Sequence, residues 1–146
     1  MAIEVLRPGV LTTVQDLGRS GQQRFGVRAC GAMDPVAHRI GNALVGNDEA
    51  AASLEITVAG PTLRADRELV LALTGADCDA KIGVVTVPRY RPFLLPAHVE
   101  LHIGSARQGV RAYLSVRGGI DVPTLWGSRS TDLRSKFGGV DGPRCC

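Results

Sequence analysis

Between Asp34 and Val45 the apolar residues Val36, Ile40, Ala43 and Leu44 recur at i, i+4, i+7 and i+8, the spacing of one helical stripe. Asp34 is placed to cap the free N–H groups of the first turn. Pro35 sits at the first helical position, where its missing donor costs nothing, and Gly46 can close the other end in a left-handed conformation. The spacing therefore predicts a helix over Asp34–Val45 with that stripe toward the core and His38, Arg39 and Asn42 off it. Elsewhere the period is two. Leu54, Ile56 and Val58 alternate with Glu55, Thr57 and Ala59; Val99, Leu101 and Ile103 alternate with His98, Glu100 and His102; Ala112, Leu114 and Val116 alternate with Arg111, Tyr113, Ser115 and Arg117. Each predicts a strand with one buried and one polar face. Glu68–Thr74 is apolar after its first residue and predicts a strand covered on both faces. Ile3–Leu6, Val10–Val14 and Gly83–Val87 are shorter candidates, with Gly60-Pro61, Gly75, Pro88, Pro92, Pro96 and Gly104 as breaks between elements.

Many short strands and one helix predict a mainly-β fold, a barrel or sandwich with helical decoration. Alternating strand–helix units are missing, which argues against a Rossmann-type sheet. From Gly118 to Cys146 the chain is glycine-rich with no clean period. A compact domain rarely ends on so long an irregular run unless it contacts something else, so the expectation is a chain that stops within a larger architecture.

Composition narrows this. The 146 residues fit one domain spanning 1–146. Seventeen Lys and Arg against fourteen Asp and Glu give a net charge of +3, too small and scattered to imply nucleic acid. Aromatics are 4% of the chain, so stacking platforms are scarce. The apolar run Leu69–Leu73 is far below the ~20 residues that span a bilayer, and Met1–Arg7 does not read as an export leader. Neither a C-x-x-C unit nor a His–Cys cluster occurs, His98 and His102 lie about 13 Å apart along a strand, and no metal is expected. A reduced cytoplasmic compartment follows, with Cys145-Cys146 read as an exposed tail.

The sequence lacks G-x-x-x-x-G-K-[ST], G-x-S-x-G and H-E-x-x-H, so it encodes no self-contained phosphate loop, nucleophile elbow or zinc helix. Its polar residues gather instead in glycine-bearing turns. Thr12–Arg19 sets Thr13, Gln15, Asp16 and Arg19 on one strand end and loop. An Arg fork with an amide and hydroxyls could hold a small polar substrate; the plainer reading is a local Asp16–Arg19 turn and ion pair. Cys30–Asp34 leads into the helix N-terminus, which is either an anion site or simply a capped end. Cys30 itself is a candidate nucleophile or an inert buried thiol. Arg117–Asp121 and Gly127–Thr131, with Ser128, form a third cluster, and Glu55 on the polar face of its strand is a fourth candidate.

The strings TTVQDLGR (Thr12–Arg19), CGAMDP (Cys30–Pro35), GNALVGND (Gly41–Asp48), LEITVAGPTL (Leu54–Leu63), ALTGADC (Ala72–Cys78) and YLSVRGGIDVP…GSRSTD (Tyr113–Asp132) together resemble the biotin-dependent carboxyltransferase A/B-subdomain family. That family includes the C-type subunit of 5-oxoprolinase, the allophanate-hydrolase subunit-2 proteins and the antagonist of a sporulation kinase inhibitor. The resemblance implies a cyclophilin-like β-barrel, shorter here than in the family. It implies work with a B-type (C/D-subdomain) subunit and, in oxoprolinase, a third subunit; a homo-oligomer is left open. It implies ATP-dependent opening of 5-oxoproline to glutamate, or carboxyl transfer from biotin to urea. ATP would serve the assembled complex and biotin the carboxylase branch. Substrate-facing residues would then be Thr13, Gln15, Asp16 and Arg19, supported by Asp34 and Glu55, with Arg117, Asp121 and Ser128 at the rim. The alternative is a binding or regulatory module that acts on a partner without turnover.

Overall fold

The computed structural model describes residues 3–140; the Cys145-Cys146 pair lies outside them. Strand β1 (Ile3–Arg7) pairs with β4 (Thr62–Ala65), and β2 (Leu11–Gln15) with β3 (Ser53–Thr57). Both ribbons join one 17-residue strand, β8 (Glu100–Val116): β4 along Glu100–His102 and β3 along Arg111–Leu114. On the other side of β8 runs β5 (Leu69–Ile82), from the Leu71–Val116 pair to the Ile82–Leu101 pair, and β5 also holds β6 (Val85–Thr86) and β7 (Pro92–Leu95). All pairs are antiparallel. Register shifts between Gly75 and Ala80 in β5 are bulges, and bulges bend a sheet. The eight strands curl into a half-barrel around Leu54, Ile56, Leu63, Leu71, Leu73, Leu101, Ile103 and Leu114. Mainly strand with one α-helix is thus the observed class.

The helix α1 covers Pro35–Val45, with Asp34 Oδ1 accepting from Ala37 N–H at 3.0 Å and Gly46 left-handed at its end. Its orientation corrects the sequence reading. Val36 is 63% exposed, Ile40 and Ala43 are exposed and Leu44 is half-buried, while Ala37, His38, Gly41, Asn42 and Val45 are buried. The strand expected to show a polar face errs in the complementary way: Tyr113 and Ser115 are as buried as Leu114. The two corrections have one cause. The half-polar face of α1 lies on the half-polar face of β5 and β8, and the groups satisfy one another. Thr74 Oγ1 donates to the Ala37 carbonyl at 2.7 Å. Asn42 Nδ2 donates to Ala51 O at 2.8 Å and lies 3.2 Å from His38 Nε2, while His38 Nδ1 lies 2.8 Å from Ser53 Oγ.

Three further expectations change. The strands at 99–103 and 112–116 are one element, because Gly104 is extended backbone where the carbonyl of Asp79 in β5 approaches. Pro92 opens β7, an edge strand paired only with β5, where proline needs no outward donor. Thr62–Ala65 is too short to show a period. The run after Gly118 carries only isolated bridges, yet Ser128, Ser130, Thr131 and Asp132 are buried.

Candidate active site

The polar face of β2, β3 and β8 sets side chains in rows. Across the three strands Thr13 pairs with Glu55 and Glu55 with Tyr113; the next row is Leu11, Thr57 and Arg111. Side chains two apart along a strand share a face, so this surface lies opposite Leu54, Ile56 and Leu114 in the core. The Cys30–Met33 loop covers one side of it: Gly31 N–H donates to Gln15 Oε1 at 3.2 Å and Met33 N–H to Glu55 Oε2 at 2.8 Å. Arg28, Thr131 and Leu133 also line this open cleft of about 270 Å³.

At its floor Glu55 Oε2 also accepts from the Tyr113 hydroxyl at 2.7 Å. That hydroxyl in turn accepts from Asp34 N–H at 2.8 Å. Burial, reinforced by the neighbouring Glu55 carboxylate, pushes the Tyr113 pKa up, so it remains a donor. Glu55 Oε1 lies 3.7 Å from Arg111 Nε, and Arg111 Nη1 donates to Thr57 Oγ1 at 2.9 Å. Arg28 forms a two-pronged pair with the buried Asp132 carboxylate. The guanidinium of Arg28, helped by the N–H of Ser135, holds Asp132 well below the usual carboxylate range. Burial, then Asp132, pushes the Cys30 thiol up, which is the opposite of an activated nucleophile. The cleft therefore offers a carboxylate, guanidiniums, hydroxyls and an amide for binding and proton handling.

Of the residues expected here, Thr13, Gln15 and Glu55 converge on the cleft. Gln15 is already engaged through Nε2 with Thr13 Oγ1 and the Thr131 carbonyl, both at 3.2 Å. Asp16 and Arg19 are buried away from the cleft lining and are not bonded to each other. Asp16 Oδ1 accepts from Ser128 Oγ and Ser130 Oγ, each at 2.6 Å, and from Gly18 N–H at 2.7 Å; Oδ2 accepts from Arg129 N–H at 2.7 Å. Burial alone would raise this carboxyl, but the four donors outweigh it and its pKa is lowered. Arg19 Nη2 donates to Ser130 O at 2.6 Å, and the guanidinium lies 5.1 Å from the Phe137 ring centre. Ser128 belongs to the Asp16 cluster, Asp34 caps α1, and Arg117 Nε donates to Val45 O at the far end of the helix. Asp121 is exposed and paired with Arg129 at 3.3 Å. Sequence reasoning passed over Arg28, Arg111 and Tyr113 as site residues, and reached Thr131 only as the end of the Gly127–Thr131 cluster. The alternation had put Arg111 and Tyr113 on one polar face, but only strand pairing places that face beside Glu55; Arg28 has no sequence signal.

The model of the carboxyltransferase domain, subdomains A and B, matches residues 25–145. The chain belongs to this carboxyltransferase family. It is 43% identical over 140 residues to the C-type subunit of the Escherichia coli K12 5-oxoprolinase, covering 96% of this chain and 45% of that one. It is 39% identical over 142 residues to the urea amidolyase of Saccharomyces cerevisiae, covering 97% of this chain and 8% of that protein. The crystal structure of the K. lactis urea amidolyase superposes on 97% of this chain and 9% of its own, with TM-score 0.94 and 42% identity. The chain thus spans less than half the length of these relatives. No helix among its described residues is long and apolar enough to cross a membrane.

Proposed function

We propose that this carboxyltransferase-family chain is a component of a multi-subunit, ATP-dependent 5-oxoprolinase, or of a related biotin-dependent carboxyltransferase or amidolyase, acting on a small amide-like substrate. One observation carries the reading. Glu55, Arg111, Thr13 and Arg28 meet at a small open cleft, a donor–acceptor set suited to a planar polar molecule.

The residues do not fit a triphosphate. Gly138 and Gly139 are closed against Ser130 O and Thr131 Oγ1, so their backbone is turned to the protein's own chain, and ATP is assigned to the complex. Biotin is reserved for the carboxylase branch, the partners are a B-type subunit and a third oxoprolinase subunit, and the compartment is the reduced cytoplasm. The test combines the chain with those subunits, ATP and 5-oxoproline and follows glutamate release. Release that falls at least tenfold in Glu55→Gln supports the reading. A stable complex without turnover supports the binding-module alternative instead.

A further inference from the structure

A second cavity, of about 530 Å³, opens at the start of α1 and shares only Arg111 with the cleft described above. Its lining includes Met33, Asp34, Arg89, Tyr90, Gln108 and Val110. Gly75 of the β5 bulge also lies in it, with φ +85° and a Cβ position only 2.4 Å from the Arg111 carbonyl. That glycine anchors two neighbouring donors. Its N–H donates to the Tyr90 hydroxyl at 3.1 Å, and its carbonyl accepts from Arg89 Nη1 at 3.0 Å. The Arg89 guanidinium lies 5.4 Å from the Tyr90 ring centre. Tyr90 N–H donates to Leu73 O at 2.8 Å, which holds the residue at φ +56°, a conformation uncommon outside glycine. Because the Tyr90 hydroxyl accepts from Gly75, its own hydrogen is left for another acceptor. Arg89 Nε and Nη2 likewise have no hydrogen bond among the described residues.

The charges of this cavity are left open. Neither Asp34 nor Arg89 forms an ion pair among the described residues. Asp34 Oδ1 caps Ala37 N–H, whereas Oδ2 accepts no hydrogen bond among them. Arg111 is committed elsewhere, with Nη1 on Thr57 Oγ1 and Nε 3.7 Å from Glu55. The cavity's own charges are therefore one carboxylate and one guanidinium, unpaired with each other. A ligand that carries both charges satisfies both groups, and a ligand with one charge leaves the other unanswered. Met33, Tyr90 and Val110 add exposed apolar surface in the same cavity. We infer that this cavity is a site for a zwitterionic amino acid with an aliphatic side chain. The ligand's carboxylate accepts from the Tyr90 hydroxyl and Arg89, and its ammonium donates to Asp34 Oδ2. Its side chain lies on Met33 and Val110. This goes beyond the proposed function, which uses the other cleft.

The experiment titrates the full chain by NMR with L-leucine and with two analogues that each lack one of its charges. Isocaproate keeps the carboxylate and side chain; isoamylamine keeps the ammonium and side chain. Leucine is expected to shift the amide resonances of Gly75, Tyr90 and Gly109 and to leave those of Thr13 and Gln15 in place. Each analogue should bind roughly tenfold more weakly, the value of one charge-assisted hydrogen bond. Asp34→Asn keeps a good helix cap and removes the charge. It should bring leucine down to the level of isocaproate while isocaproate itself binds as before. Arg89→Gln should weaken leucine and isocaproate and spare isoamylamine. Isocaproate or isoamylamine binding as tightly as leucine overturns the inference, as do leucine shifts confined to the first cleft. No leucine binding at all overturns it too, and none of these results bears on glutamate release at the first cleft. The ligand series is run on the unaltered chain, so a destabilised variant does not decide the outcome.

Discussion

Asp16 shows how a residue with site chemistry can be structural. A carboxylate taken out of water is costly unless its lone pairs are filled, and here four donors from the 16–18 turn and the 128–130 segment fill them. Asp16→Ala strands two buried hydroxyls and two N–H groups, and is expected to cost about 3 kcal/mol or more, read as a lower urea midpoint. The folded carboxyl lies below its ordinary 3.8, so the unfolded chain takes up the proton first on acidification. Its stabilising contribution is complete above pH 3.8 and fades as pH falls below that value. His38 runs the other way in charge but with the same slope. Burial lowers its pKa beneath 6.5, so as pH drops through 6.5 the unfolded state binds the proton first and stability falls until the folded ring also titrates. Urea midpoints between pH 8 and pH 5 should show this decline, and His38→Gln should flatten it. Residue types at the site were legible in part: Thr13, Gln15 and Glu55 share the cleft. Asp16 and Arg19 offered the same chemistry, but their fate was decided by Ser128 and Ser130 more than a hundred residues away, a pairing no local spacing encodes.

At the scale of elements, α1 was placed correctly by its cap, its proline and its terminal glycine, all of which are local signals. Its facing was not. Hydrophobic periodicity assumes that the partner surface is apolar, whereas β5 and β8 present Thr74, Tyr113 and Ser115 to the helix. The point of closest approach is Gly41, where an added Cβ would lie 2.6 Å from Ser115 Oγ and 3.1 Å from Thr74 Oγ1. Alanine normally favours a helix over glycine by about 1 kcal/mol, yet Gly41→Ala is expected to lower the melting temperature, because Thr74 Oγ1 is committed to the Ala37 carbonyl. Ser115 Oγ has no partner and is buried, so Ser115→Ala removes a desolvated hydroxyl and should raise the melting temperature on its own. The double variant Gly41→Ala, Ser115→Ala should recover most of the loss; thermal unfolding of the four proteins checks the cycle. Strand existence was legible where alternation ran for five residues or more, but boundaries were not: the two patterns on either side of Gly104 are one strand, β8, and the pattern through Val58 ends at Thr57. No strand was expected at β4 or β7, whose four residues each draw their strand character from the neighbour they pair with.

Across the whole molecule the cleft depends on two parts of the chain that are remote in sequence. Most of its lining comes from the first 55 residues, but Thr131 and Leu133 come from an irregular segment with little ladder of its own. What holds that segment is a set of polar ties: Ser128, Ser130 and Arg129 on Asp16, Ser130 O on Arg19, and Thr131 N–H on Val14 O at 2.9 Å. Its return stretch is pressed against Ser130 at Gly138, where φ is +79° and a Cβ would collide with the Ser130 carbonyl. Both the left-handed backbone and the contact exclude a side chain there. Gly138→Ala must therefore displace backbone, with no flexible side chain to yield. Since the sheet core contains no residue of this stretch beyond Val122, the variant is expected to keep its β-rich circular dichroism while the 125–139 segment loosens. Limited proteolysis should then cut within that segment much faster than in the parent chain, and binding of L-5-oxoproline, the substrate proposed above, should weaken along with it. Cutting without loss of binding would mean that Thr131 and Leu133 only shield the cleft, and that the polar row on β2, β3 and β8 suffices to hold the ligand.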